Sequence, residues 1–124
     1  MLIDEYFQQI EADIAQSIIV IHTELVKDKR SLYIGFVEGK LTFLDGSVLH
    51  FVEFANVKTG IDRYKYSYHY QDTNHQLIFR YDMAPHHKNI TTFPHHKHTV
   101  SGQAIESTVP TLKNVLEEIE KLVT

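Results

Sequence analysis

Between residues 18 and 82 the chain is a succession of β-branched and aromatic runs joined by very short connections. A parallel strand pair needs a dozen or more residues to return, usually as a helix, so short connections dictate antiparallel neighbours. Residues 18–25, 32–43, 48–55, 63–71 and 76–82 each read as a strand. The charged cluster Lys27-Asp28-Lys29-Arg30 predicts the first turn, and Gly35 or Gly39 a bend in the second strand. Asp45-Gly46 predicts a hairpin with a type I′ turn, which needs positive φ at both central residues. Residues 56–62 read as a loop.

Two amphipathic helices bracket the strands. Ile3, Phe7, Ile10 and Ile14 recur at helical spacing over residues 3–15, with Asp4 and Glu5 suited to the first turn. Pro110 starts a second helix to about Val123, with Thr108 as its cap and Leu112, Val115, Leu116, Ile119 and Leu122 on one face. The expected architecture is α+β: an antiparallel meander sheet of about five strands with N- and C-terminal helices packed on one face. At 124 residues this is one domain, 1–124.

Arithmetic gives a first register. A two-residue turn at Thr73-Asn74 pairs Tyr70 with Leu77, Tyr68 with Phe79 and Tyr66 with Tyr81, a face suited to core or to base stacking. The opposite face sets His69 beside Ile78, Ser67 beside Arg80 and Lys65 beside Asp82. A slip of one residue would scatter that polar group.

Composition narrows the function. Hydrophobic and charged fractions of 43% and 23% are those of a soluble globular protein. No apolar run approaches the ~20 residues that cross a bilayer, and Met1-Leu2-Ile3-Asp4-Glu5 lacks a signal peptide's basic start, so a cytoplasmic protein with no membrane partner is expected. Without cysteine there is no disulfide, thiolate nucleophile or Cys-based zinc site. The net charge is −4, yet residues 63–98 set Arg63, Lys65, Arg80, Lys88 and Lys97 against Asp72 and Asp82, a net +3 on an acidic body. That asymmetry suits a polyanionic ligand at one face.

The same segment holds seven of the nine histidines, five of them in the bursts Pro85-His86-His87 and Phe93-Pro94-His95-His96-Lys97-His98. Imidazole exchanges a proton near neutral pH. In phosphodiester cleavage one imidazole takes the proton of a ribose 2′-hydroxyl and another protonates the leaving 5′-oxygen. His86, His87, His95, His96 and His98 are the candidates, with Asp82 fixing a tautomer. Arg80 and Lys97 would hold the phosphate, and Lys65, Ser67, Tyr68 and His69 would line the substrate path. No cofactor is then needed. In a short strand His96 and His98 project to one side.

Two other chemistries fit these residues. Asp82, His86, His95 and His98 are adequate ligands for a divalent metal such as zinc or manganese, as in a metal-dependent nuclease or phosphatase. Alternatively the basic loop and tyrosines bind RNA or a protein without turnover. His22, His50 and His75 read as structural, and Glu53 as pointing outward at a sheet edge rather than as a buried catalytic carboxylate.

Tyr66-Ser67-Tyr68-His69, Arg80-Tyr81-Asp82 with Ala84-Pro85-His86-His87, and Phe93-Pro94-His95-His96-Lys97-His98 resemble the TumE family of toxins from bacterial toxin–antitoxin modules. Asp45-Gly46-Ser47, Glu53 and the closing helix extend the resemblance over nearly the whole chain, although Met83 stands where the family is expected to carry asparagine. The resemblance implies a small toxin encoded beside a helix-turn-helix antitoxin protein. An RNA substrate follows from the histidine chemistry, not from the family, and a homodimer is one assembly open to such a domain.

Overall fold

The computed structural model describes residues 1–83, 95–100, 104–106 and 109–124. Helix α1 (Ile3–Gln16) leads into strands β1 (Val20–Lys29), β2 (Ile34–Phe43), β3 (Val48–Asn56), β4 (Asp62–Gln71), β5 (Leu77–Met83), β6 (His95–Thr99) and β7 (Ala104–Glu106), and helix α2 (Leu112–Val123) closes the order. The sheet is one antiparallel meander, β1 to β7 in chain order. The α+β class holds, with seven strands in place of about five, because the histidine-rich segment contributes β6 and the residues after it β7.

Both helices cover the same face. Gly35 lets α1 approach: a Cβ there would stand 2.7 Å from Ile3 and from Phe7. Gly39 is tighter still, 2.2 Å from the Phe51 ring. The β2–β3 ladder runs unbroken from Ile34 to Thr42, so these glycines serve close packing rather than the expected bend. Helix α2 buries Leu112, Val115, Leu116 and Ile119 and leaves Leu122 exposed. Its cap is Thr111, whose Oγ1 accepts from Asn114 N at 3.1 Å, in place of Thr108.

The expected turn at Lys27–Arg30 is instead the end of β1, and the chain turns over Arg30–Ile34. An edge strand tolerates charge on both faces. Here Lys27 and Lys29 reach α1, pairing Glu11 at 2.7 Å and Asp4 at 2.8 Å. The Asp45-Gly46 hairpin forms, but only Gly46 has positive φ (85°), so the turn is not type I′.

The β4–β5 connection corrects the register. Asp72 N donates to Gln76 O, which leaves three residues in the turn, with His75 at φ 63°. A bulge then skips Ile78, between the pairs Gln71↔Leu77 and Tyr70↔Phe79. Each device adds one residue, so the true register lies two from the expected one. Side chains alternate with period two, so from Phe79 onward every residue keeps its face, whereas Leu77 moves to the face of Gln71 and Ile78 packs against the core. His69 opposes Arg80 and Ser67 opposes Asp82; Lys65 opposes Phe54 on β3.

Candidate functional site

The face away from the helices is crossed by rows of side chains in register. One row runs Lys40, His50, His69, Arg80 and His98 on the five consecutive strands β2 to β6. The next runs Glu38, Val52, Ser67 and Asp82, with the backbone of His96 opposite Asp82. A third sets Phe36 beside Phe54 and Phe54 beside Lys65. From β2 to Arg80 on β5 these rows line a groove of about 950 Å³, with Asp82 and His98 just beyond its lining.

At one end of the groove lies a charged cluster. Asp82 is only 7% exposed, unusual for a carboxylate on a face without a helix over it. Arg80 Nε lies 2.8 Å from Asp82 Oδ2, and His98 Nε2 lies 3.5 Å from Asp82 Oδ1. The Arg80 side chain remains 43% exposed, so its guanidinium faces both the carboxylate and the solvent side of the groove. His69 stands across from Arg80, and its pKa is lowered, first by burial and then by the Arg80 and His50 charges. Its imidazole is therefore largely neutral at pH 7. His50, expected to be structural, belongs to the same row and meets Glu38 at 2.8 Å.

The structure thus brings together Ser67, His69, Arg80, Asp82 and His98, with Lys65 further along the groove. It separates two others. Lys97 opposes Tyr81 on the helix-bearing face, where it pairs Glu118 at 3.0 Å and sits 4.9 Å from the Tyr81 ring centroid. Tyr68 is fully buried in the core. His86 and His87 lie outside the described residues, as do the side chains of His95 and His96. In register, position 96 shares the face of Asp82 and position 95 the opposite one. Among the described residues no group of three His, Cys, Asp or Glu could hold a metal ion; of the set Asp82, His86, His95 and His98, the residue His86 and the side chain of His95 lie outside the described residues.

The second polar cluster lies inside, and it overturns the outward placement of Glu53. That carboxylate is 0% exposed. Tyr6 donates to its Oε1, and Tyr68 donates to its Oε2 at 2.6 Å. Arg63 Nη1 donates to Tyr68 Oη at 2.9 Å and also to the carbonyl of Pro110, at the approach to α2. Burial, then Glu53, raises the pKa of both tyrosines. One network thereby ties α1, the sheet and the start of α2. The signal for it was the period-two run Leu49, Phe51, Glu53, Ala55, which places Glu53 inward.

No helix among the described residues is long and apolar enough to cross a membrane. The model of a protein family described as Toxin TumE matches residues 8–123. No curated protein and no solved structure matches the chain.

Proposed function

The chain belongs to the TumE toxin family, and from that premise we propose that it is a cytoplasmic, metal-independent endoribonuclease whose centre is the His69–Arg80–His98 row. The observation that carries this reading is the Asp82 carboxylate, nearly buried and flanked by Arg80 Nε at 2.8 Å and His98 Nε2 at 3.5 Å. Such a carboxylate orients a histidine, as in a catalytic triad.

The row supplies base, cation and acid in order on adjacent strands. Neighbouring strands are about 4.8 Å apart, so His69 and His98 stand roughly 10 Å apart with Arg80 between them. A phosphodiester over Arg80 has room for an imidazole on either side. His69, kept neutral by its surroundings, takes the proton of the 2′-hydroxyl. The 2′-oxygen attacks phosphorus, the bond to the 5′-oxygen breaks, and His98 delivers a proton to that oxygen. The products are a 2′,3′-cyclic phosphate and a 5′-hydroxyl. Arg80 stabilises the charge that grows on the phosphoryl oxygens. His96, whose backbone pairs with that of Asp82, serves as a second acid, and His86 and His87 complete the imidazole supply; His95 is on the other face in register and has no part in it. Ser67 and Lys65 line the path.

The toxin family implies an antitoxin partner, and we assign it to the helix-turn-helix class. The assembly, homodimer included, is read from the size of the purified protein.

The test is incubation of wild type, His69→Ala, Arg80→Ala and His98→Ala with total RNA, with and without chelator. Cleavage by wild type alone, indifferent to chelator and ending in cyclic phosphate, is expected. Loss of cleavage with chelator moves the chemistry to a metal site built on Asp82, His86, His95 and His98. Folded but fully active histidine variants refute the assignment. Binding without cleavage under any condition leaves a non-catalytic binder.

A further inference from the structure

Arg80 of the charged cluster lines one end of a groove that continues across β4, β3 and β2 to Glu24 and Val26 on β1. What lines the remainder is specific. Beyond Arg80 the row continues through His69 and His50 to Lys40, an exposed cation on β2. At about 4.8 Å per strand, Lys40 lies roughly 14 Å from Arg80. Four residues along the strands, or about 13 Å at ~3.3 Å each, is a second kind of surface. Phe36 and Phe54 lie 4.8 Å apart between centroids, half-buried on a face that carries neither helix. Tyr64 joins Phe54 at 6.1 Å, and Lys65 Nζ stands 5.5 Å from the Phe54 centroid.

Half-exposed rings in the middle of a sheet waste apolar surface unless something flat lies on them. A row of cations and imidazoles beside such rings is the combination by which β-sheets hold single-stranded nucleic acid, phosphates on the basic groups and bases on the rings. The track has acidic neighbours at both ends, Asp82 beside Arg80 at one and two carboxylates toward β1 at the other. Glu24 lies opposite Lys40 on β1, and Glu38 bonds His50. Asp82 is nearly buried and paired by Arg80, whereas Glu24 is exposed, so a polyanion is turned away at β1.

We propose that this face binds a single-stranded RNA whose phosphodiester backbone crosses the strands along Lys40, His50, His69, Arg80 and His98, with unstacked bases against Phe36, Phe54 and Tyr64. This rests on the ribonuclease reading for its choice of RNA and deepens it. The chain recognises its substrate well away from the bond that breaks, and it discriminates against duplex, whose bases are stacked on one another and cannot reach the rings. Lys40 is a binding residue with no part in the chemistry.

The experiment uses the full chain and a labelled single-stranded RNA oligonucleotide with 2′-O-methyl groups, which removes the nucleophile so that binding is read without cleavage. Anisotropy titrations over a salt series compare it with the same sequence as a duplex. The single strand is expected to bind more tightly. Lys40→Gln should shallow the slope of log K against log salt by about 0.7, the value for one phosphate contact on a single strand. Phe54→Leu should weaken binding roughly 5- to 150-fold, the range for loss of one stacked base. On a cleavable RNA, Lys40→Gln should raise KM.

Equal or tighter binding of the duplex, or a Lys40→Gln protein with unchanged slope and affinity, overturns the proposal. Failure of the ribonuclease reading looks different: the oligonucleotide binds with these dependences and no RNA is cut. Cleavage with binding indifferent to both substitutions retains the nuclease and removes the track.

Discussion

Replacing Tyr68 with Phe deletes one hydroxyl from the interior and little else. That hydroxyl donates to Glu53 Oε2 at 2.6 Å and accepts from Arg63 Nη1 at 2.9 Å. Both Tyr68 and Glu53 are 0% exposed, so bulk water does not replace it. A hydrogen bond to a charged group contributes about 1.5–3 kcal/mol, and stranding a buried charge costs at the upper end of that range. Tyr68→Phe should therefore destabilise the fold by about 2–3 kcal/mol. With a urea m-value of about 2 kcal/mol per molar, the midpoint falls by about 1 M. Tyr6→Phe removes the donor to the other carboxylate oxygen and should cost a similar amount. Because both phenols serve one carboxylate, the double variant should lose more than the sum, by at least ~0.5 kcal/mol. Equilibrium unfolding of the four proteins, followed by circular dichroism, measures the whole cycle. A midpoint shift under about 0.2 M for Tyr68→Phe, or strict additivity, would refute the account of Glu53 as a carboxylate held by two phenols. The pH dependence gives an independent check. The folded chain keeps phenol protons that the unfolded chain releases above about pH 10. Stability should thus fall as pH rises past 10, and less steeply in Tyr68→Phe.

Three further outcomes follow from particular contacts. His69, with its pKa lowered by burial, binds a proton less readily folded than unfolded, so stability should fall as pH drops below about 6.5; His69→Gln should flatten that fall in urea midpoints between pH 7.5 and 5. In the pH–rate profile of RNA cleavage by the wild type, the acidic limb should lie below pH 6.5. Gly39→Ala places a methyl 2.2 Å from the Phe51 ring and should cost about 1–3 kcal/mol by overpacking, read as a lower thermal midpoint. Lys97→Met should leave RNA cleavage intact and lower stability by no more than about 1 kcal/mol, because its pair with Glu118 is partly solvated; lost cleavage in a folded protein would return Lys97 to the site.

The sequence carried some of this fold openly and hid the rest for identifiable reasons. Helix α1 is written in the spacing of Ile3, Phe7, Ile10 and Ile14, and the meander in the shortness of its connections. The class of the β4–β5 face was legible because alternation needs only two neighbouring strands. The row from Lys40 to His98 was not, since it depends on register carried across five strands. Register is set by turn length and bulges, such as the skipped Ile78, that leave little trace in local composition. Lys27 to Lys29 resembled a turn because charge is cheap on an edge strand as well as in a loop. Glu53 was readable by phase and misread by composition: a buried carboxylate is rare, and its partners Tyr6 and Arg63 come from distant parts of the chain.

The turn after β4 has a consequence for how such a sequence can drift. Three turn residues and one bulge carry β5 two positions past the simplest hairpin, and two is even. Losing one residue around Thr73 or Asn74 would invert β5 against β4, sending Arg80 and Asp82 under the helices and Phe79 and Tyr81 into the groove. Losing two would only slide the rows past each other. Insertions and deletions in this hairpin should therefore survive in even numbers, or in compensating pairs with a bulge, so that length parity is inherited here more strictly than residue identity.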